Sequence, residues 1–291
     1  MALMSKQPIY PLSNMYKEKS LSVLYGRCVC YLLIATHFFI VSGCATLPTG
    51  VPVSDAEQSA VTRDFLALVN SQQDCLEQID ADISVSFENL LQQGRINGSL
   101  LAMPPAYLRF NGLNPLGLTE LVFATDGHRF TLVTVRKQMG YSGSLKAKKI
   151  QHYMPNGFQE DFIFLLTGVL PEAEKIKVRR VRKTKTGSGY WLDIAYHDSS
   201  KSMKILYRPG RQGIDQIIIT SPESNDSLVV NYQYSADSFK NSCPDPQLIR
   251  LDSDGNGSVS IEFSKRYPIA SLKKERFQVV IPTNYKQVTV Q

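Results

Sequence analysis

The side chains best suited to chemistry are few in this sequence and far apart. Its four histidines, His37, His128, His152 and His197, show no metal-ligand spacing. A zinc site would need converging His, Cys or carboxylate ligands. No G-x-S-x-G nucleophile elbow is present. The glycines of "TGSGY", Thr186 to Tyr190, lie between two apparent strands, so the stretch reads as a hairpin turn, not a phosphate loop. In "RLDSDGNGSVSIEF", Asp252, Asp254, Asn256 and Gly257 match positions 1, 3, 5 and 6 of a calcium loop. Position 12 is Phe263, however, with Glu262 one residue early, and the flanks alternate as strands do. A hairpin built on Asp-Gly and Asn-Gly is the simpler reading, with calcium binding as its alternative. These observations predict a protein that is not an enzyme and carries no cofactor.

Cysteine offers more. Lys17, Lys19 and Arg27 precede an apolar run from Tyr31 to Val41, and small residues then lead into Cys44 in "VSGCA". Charged region, apolar region and small-residue cleavage site is the order of a secretory signal. The run is shorter than the roughly 20 residues a spanning helix needs, although an uncleaved anchor is the alternative. "VSGC" resembles the lipobox of bacterial lipoproteins, in which the cysteine is lipidated and becomes the mature N-terminus. That resemblance implies a signal over 1–43, lipidation at Cys44 and, because residue 45 is Ala and not Asp, placement in the outer membrane facing the periplasm. Met15 offers a later start. In an exported chain the pair Cys75 and Cys243 predicts one disulfide, with two buried thiols as the alternative. The signal region holds four basic and one acidic side chains, so Cys44 to Gln291 carries 28 basic and 25 acidic ones, a net +3. Nothing in that balance calls for nucleic acid.

The remaining elements follow from periodicity. Residues 44–53, with two prolines and a glycine, read as a lipidated tether. Ser54 to Asp80 reads as a helix capped by Ser54 or Asp55 with Glu57 as capping-box partner, and Val61, Phe65, Leu68 and Leu76 near helical spacing. From Ile83 the period becomes two, with turns expected at Asn97-Gly98 and Asp126-Gly127. A second helix is expected in "GFQEDFIFLLTGVLP", stopped by Pro171, before strands resume. Residues 54–291 are expected to form one domain. In the basic run Lys175 to Lys185, Ile176, Val178 and Val181 are expected to face inward; the cations form a solvated face or contact anionic headgroups or an acidic partner.

The stretch "NPLGLTEL", Asn114 to Leu121, has turn chemistry yet places Leu116 between Pro115 and Gly117. Together with "LRFNGLNPLGLTELVFATDG", "FIFLLTGVLP" and the lipobox, it resembles the LolB lipoprotein acceptors and the wider LolA/LolB-like superfamily. The similarity is close over about Leu108 to Pro171 and looser over Ser54 to Val230. The family tryptophan is absent from "LLTGVLP", and the chain from about residue 235 reads as a C-terminal extension. The resemblance implies an α+β fold, a half-open antiparallel β-barrel covered by an N-terminal helix and an inserted helix. It implies an apolar cavity for lipoprotein acyl chains and a LolA-type periplasmic carrier as partner. It also implies a membrane-insertion loop with Leu116 at its tip between Pro115 and Gly117. Alternation and helical phase nominate Phe110, Leu121, Phe123, Phe130, Leu132, Phe162, Leu165 and Leu166 for the cavity, unless they simply fill a core. A structural or adaptor lipoprotein that binds an envelope protein is the alternative function.

Overall fold

The computed structural model describes residues 50–75, 78–88, 92–147, 162–170, 173–196, 202–220, 227–235, 243–253, 257–269 and 271–291. Cys44 and the signal region lie outside them, as do Leu76, Phe158, Pro171, Asp254, Asn256, His152 and His197.

A two-residue strand, β1 (Val51–Pro52), precedes helix α1 (Asp55–Ser71). The end of the expected tether is therefore pinned to the domain: Val51 pairs with Lys183 and Pro52 with Arg182. Ser54 caps α1 by accepting the Glu57 amide at 3.3 Å. The Glu57 carboxylate does not complete a capping box but accepts the Tyr190 hydroxyl at 2.9 Å. Val61, Phe65 and Val69 form the buried stripe, and Leu68 is half-buried beside it. The helix stops at Ser71, nine residues before the expected end, because Ile79 and Asp80 already pair with Ala102 and Leu101 in the sheet.

Six strands follow as a meander: β2 (Ile79–Glu88), β3 (Gln93–Met103), β4 (Tyr107–Leu113), β5 (Thr119–Thr125), β6 (Arg129–Thr134) and β7 (Met139–Ser144). Asp126-Gly127 makes the expected turn, with Gly127 at φ 90°. Asn97-Gly98 does not. It lies within β3, where Gly98 pairs with Gly112 and a Cβ would stand 2.1 Å from the Asn111 carbonyl oxygen. The glycine serves close strand approach instead of a bend.

Helix α2 (Phe162–Thr167) ends at Gly168, whose φ of 69° and amide bond to the Phe164 carbonyl close the last turn. Glycine, three positions before Pro171, is the stop. The helix does not show a single apolar face, since Ile163, Phe164, Leu165 and Leu166 are all buried. A second meander comprises β8 (Ile176–Lys183), β9 (Tyr190–Tyr196), β10 (Ser202–Tyr207), β11 (Gln216–Thr220), β12 (Ser227–Tyr234), β13 (Pro246–Ser253) and β14 (Gly257–Arg266). Its last strand returns to pair antiparallel with β2, the first strand of the first meander. The segment after 235 is thus no appendage, because β13 and β14 lie in the middle of the sheet. Beyond Arg266 a strap crosses to a small second core of Leu101, Met103, Leu272 and Phe277. It ends as β15 (Lys286–Val290), parallel to β7.

Among the described residues the strands form one sheet in the order β1-β8-β9-β10-β11-β12-β13-β14-β2-β3-β4-β5-β6-β7-β15. The sheet is large, almost wholly antiparallel and open; β1 and β15 are its edges, so no barrel closes. Helices α1 and α2 join one continuous core with the concave face. Cys75 and Cys243 are disulfide-bonded, with Cα atoms 5.3 Å apart, tying the turn after α1 to the start of β13 across 168 residues.

Closing so long a loop restricts the unfolded chain by about 5 kcal/mol in the chain-entropy model. A Cys75→Ser/Cys243→Ser variant is therefore expected to lose about 2–5 kcal/mol of stability. Urea midpoints of the variant and of the oxidised parent check this; coincident midpoints would count against the bond.

Candidate functional site

Cross-strand register builds the site. Leu100, Phe110, Phe123, Leu132 and Tyr141 pair in succession across β3 to β7 and so share one sheet face. One step toward one end, Leu108 pairs with Thr125 and Thr125 with Phe130; one step toward the other, Gly112 pairs with Leu121. Phe110, Leu121, Phe123, Phe130 and Leu132 are thus brought onto one face, the concave one. Phe123 and Phe130 stack at 6.3 Å.

Burial is graded along this face. Leu108 and Phe130 are buried; Phe110, Phe123, Leu132 and Leu121 are half-buried. The same gradient runs down the central strands, from buried Phe263 through half-buried Ile261 to exposed Val259. It is absent from β10 between Met203 and Tyr207 and from β12 between Leu228 and Tyr232, where the inward residues are all buried. Leu165 and Leu166 lie in the packed core, not at an accessible wall. Phe162 opens α2, but its side chain lies outside the described part. The apolar face is thus well covered at one end of the sheet and thinly covered at the other.

The thin end carries the β4–β5 turn. Asn114 organises it: its Oδ1 accepts the amides of Leu116 at 2.9 Å and Leu118 at 3.0 Å. Its carbonyl accepts the Gly117 amide, and its own amide donates to the Leu118 carbonyl, each at 2.9 Å. Pro115 has no amide hydrogen. Every backbone N–H from Asn114 to Leu118 is therefore paired within the turn. Gly117 sits at φ 77° with open space where a Cβ would be. Leu116 is left 82% exposed and Leu118 62%. Leu116 projects outward and does not fold back onto the sheet. Leu118 matches it in kind, and its signal was the same: an apolar residue beside turn chemistry.

Among the described residues, a phenol on β12 is buried without a hydrogen-bond partner. Tyr232 and Tyr234 stack at 6.3 Å on β12. Burial raises both phenols above their ordinary range, so each is a neutral donor. Tyr234 donates to the Ile214 carbonyl at 2.9 Å, while the buried Tyr232 hydroxyl has no partner.

Other sequence motifs resolve differently. Asp252 lies on β13 and accepts Arg250 Nε at 2.9 Å; Glu262 pairs with Arg95 and Phe263 is buried, on the β13–β14 hairpin. Among the described residues no cluster of His, Cys, Asp or Glu could hold a metal ion. On β8, Ile176 and Val181 are buried and Val178 half-buried, with a bulge between Val178 and Arg180. Lys177, Arg179 and Arg180 are exposed, whereas Arg182 lies 3.9 Å from Asp193. A cavity of about 360 Å³ lies between the strap and β4–β7. Its lining mixes Tyr107, Phe277 and Val279 with Arg129, Lys274 and Ser142; Phe130 alone of the nominated residues borders it.

No protein-family model matches the sequence, and no curated protein matches it. Solved structures do match the fold. A LolA superfamily protein from Nitrosomonas europaea is 10% identical, over 75% of this chain and 97% of that one, at a TM-score of 0.50. A DUF1329 family protein from Desulfovibrio piger is 8% identical over the same shares, at 0.51. At such identities the likeness is one of fold, and the fold is LolA-like. Among the described residues no helix is long and apolar enough to cross a membrane.

Replacing Asn114 with Ala leaves the Leu116 and Leu118 amides without their acceptor. The expected result is about 1–2 kcal/mol less protection of those two amides, the usual cost of losing such a side-chain cap. Native-state hydrogen exchange resolved by NMR measures it; unchanged protection at both amides would refute the tip's self-capping role.

Proposed function

We propose that the protein is a lipid-anchored acceptor that holds lipoprotein acyl chains against the thinly covered end of its concave face and passes them to the outer membrane. The observation that carries this reading is the continuous apolar gradient from Phe130 through Phe123 and Leu121 to the exposed leucines of the tip. An acyl chain is stabilised by about 0.8 kcal/mol per buried methylene in either an apolar site or a bilayer, so transfer between them is nearly balanced. A tip whose amides are already paired enters hydrocarbon without the usual penalty for unpaired N–H groups.

In this reading Cys44 carries the lipid, the domain faces the periplasm, and a LolA-type carrier hands over the cargo, as the resemblance to LolB implies. The reading includes no catalysis and no cofactor. LolA-like architecture supports it at the level of fold alone.

The competing reading is a structural or adaptor lipoprotein. The observation favouring it is that Phe130, Leu165 and Leu166 belong to a packed core. Leu121→Glu separates the two, because it places a charge at the thin end and spares that core. On the acceptor reading it weakens binding of a fluorescent fatty acid at least about 10-fold with little change in melting temperature, the equivalent of about 1.4 kcal/mol. Parent protein that binds no fatty acid would favour the adaptor.

Delivery is tested in cells. Depletion of the protein is expected to leave other lipoproteins mislocalised. Leu116→Glu is expected to retain fatty-acid binding and yet fail to restore sorting. Normal sorting in both strains would remove the delivery role.

A further inference from the structure

The leucine tip has a charged neighbour. The β6–β7 turn lies at the same end of the sheet and reads Val135-Arg136-Lys137-Gln138, all four exposed. The Val135 amide donates to the Glu120 carbonyl at 2.8 Å, which places this turn beside the first residues of β5, next to Leu118. On its other side the Gln138 carbonyl accepts the Lys286 amide at 2.9 Å, bringing the first residue of β15 against the same turn. Val135 is 38% exposed and adds to the apolar surface of Leu116 and Leu118. Arg136, Lys137 and Lys286 are exposed, and among the described residues none takes part in an ion pair. Along 113–121, 133–141 and 285–287, Glu120 is the one carboxylate, and it is half-buried.

We infer that these side chains form a docking surface for an anionic phospholipid bilayer, in which Leu116, Leu118 and Val135 enter the acyl boundary while Arg136, Lys137 and Lys286 take the phosphates. Lysine and arginine have long apolar stems that let their heads reach phosphate while shorter apolar neighbours sink below it. The turn's paired amides lower the polar cost of shallow entry, and three unpaired cations supply attraction that a neutral bilayer cannot return. The surface deepens the delivery reading, on which its use rests, by naming the lipid class it selects. Charge complementarity decides for a lipid surface here, because apolar insertion and phosphate contact are both offered within two adjacent turns and one strand end.

The test uses the full chain with Cys44→Ala, so that no attached lipid intervenes; the basic and apolar N-terminal region is common to every variant, so the readout is the change in lipid preference from parent to variant. Binding is measured to phosphatidylcholine vesicles with and without phosphatidylglycerol. Three cations near an anionic surface predict a preference on the order of 100-fold for the phosphatidylglycerol vesicles at low salt, falling steeply as salt shortens the screening length. Arg136→Glu/Lys137→Glu/Lys286→Glu is expected to lower that preference on the order of 100-fold with an unchanged melting temperature. Leu116→Glu/Leu118→Glu is expected to weaken binding to both vesicle types. Equal binding of the parent to both vesicles, or a preference that the triple charge reversal leaves unchanged, would overturn the proposal. Fatty-acid binding measured on the same samples keeps the two readings apart. Its absence with the lipid preference intact removes the acceptor reading alone, and the reverse result removes the docking surface alone.

Discussion

The pairing of β14 with β2 holds the architecture together. Each meander alone is an open sheet with an unpaired edge at this point. Joined here, they become one surface, and the helices α1 and α2 share a core with strands from both halves. The seam is apolar on the concave side, where Phe263 pairs with Ile83 and Ile261 with Val85. On the convex side Arg95 bridges it, donating to Ser84 at 2.6 Å and to Glu262 at 3.0 Å. Exposed ion pairs are worth about 0–1 kcal/mol, so the apolar pairs carry the seam and the polar ones fix its register.

That dependence explains what sequence patterns could and could not reveal. Alternation in Ile83-Val85-Phe87 and in Thr119 to Thr125 identifies strands because a half-buried strand imposes period two locally. The turn at Asp126-Gly127 is legible for the same local reason. Asn97-Gly98 carries the same dipeptide signal and lies flat in a strand, because the demand on Gly98 comes from Asn111 across the sheet. The central place of β13 and β14 was equally hidden. The partner of β14 across the seam lies some 170 residues earlier, and no local pattern encodes who pairs with whom. Helix ends differ from the periodicity where tertiary pairing or a left-handed glycine intervenes, at Ile79 and Gly168.

The candidate site was legible unevenly. Leu116 stood out because an apolar residue in turn chemistry has no local justification. The concave set Phe110, Phe123 and Leu132 followed from alternation, but not its exposure gradient, which depends on where α1 and α2 lie over the sheet. Leu165 and Leu166 illustrate the limit. Their helical phase predicted an inner face, yet a six-residue helix embedded in the core has no outer one. The cations beside the tip were invisible as a group, since Lys286 reaches the β6–β7 turn only through a strap that crosses the sheet and adds a parallel edge strand.

The two ends of the concave face therefore do different work. Where β9 to β12 meet the helices, burial is deepest, at Leu192, Ile205, Ile217 and Val230, and the fold gains most of its hydrophobic stabilisation. Where β4 to β6 approach the tip, the same face gives up part of that burial and keeps apolar surface accessible to a ligand. A protein stable by only 5–15 kcal/mol tolerates such exposure if it is confined. Confinement here is structural: the seam and the Cys75–Cys243 bond hold the covered end, and Asn114 holds the turn at the open one. The exposed leucines therefore need no support from the core. The apolar surface most available to a bilayer is also the part whose loss to another environment would cost the fold least.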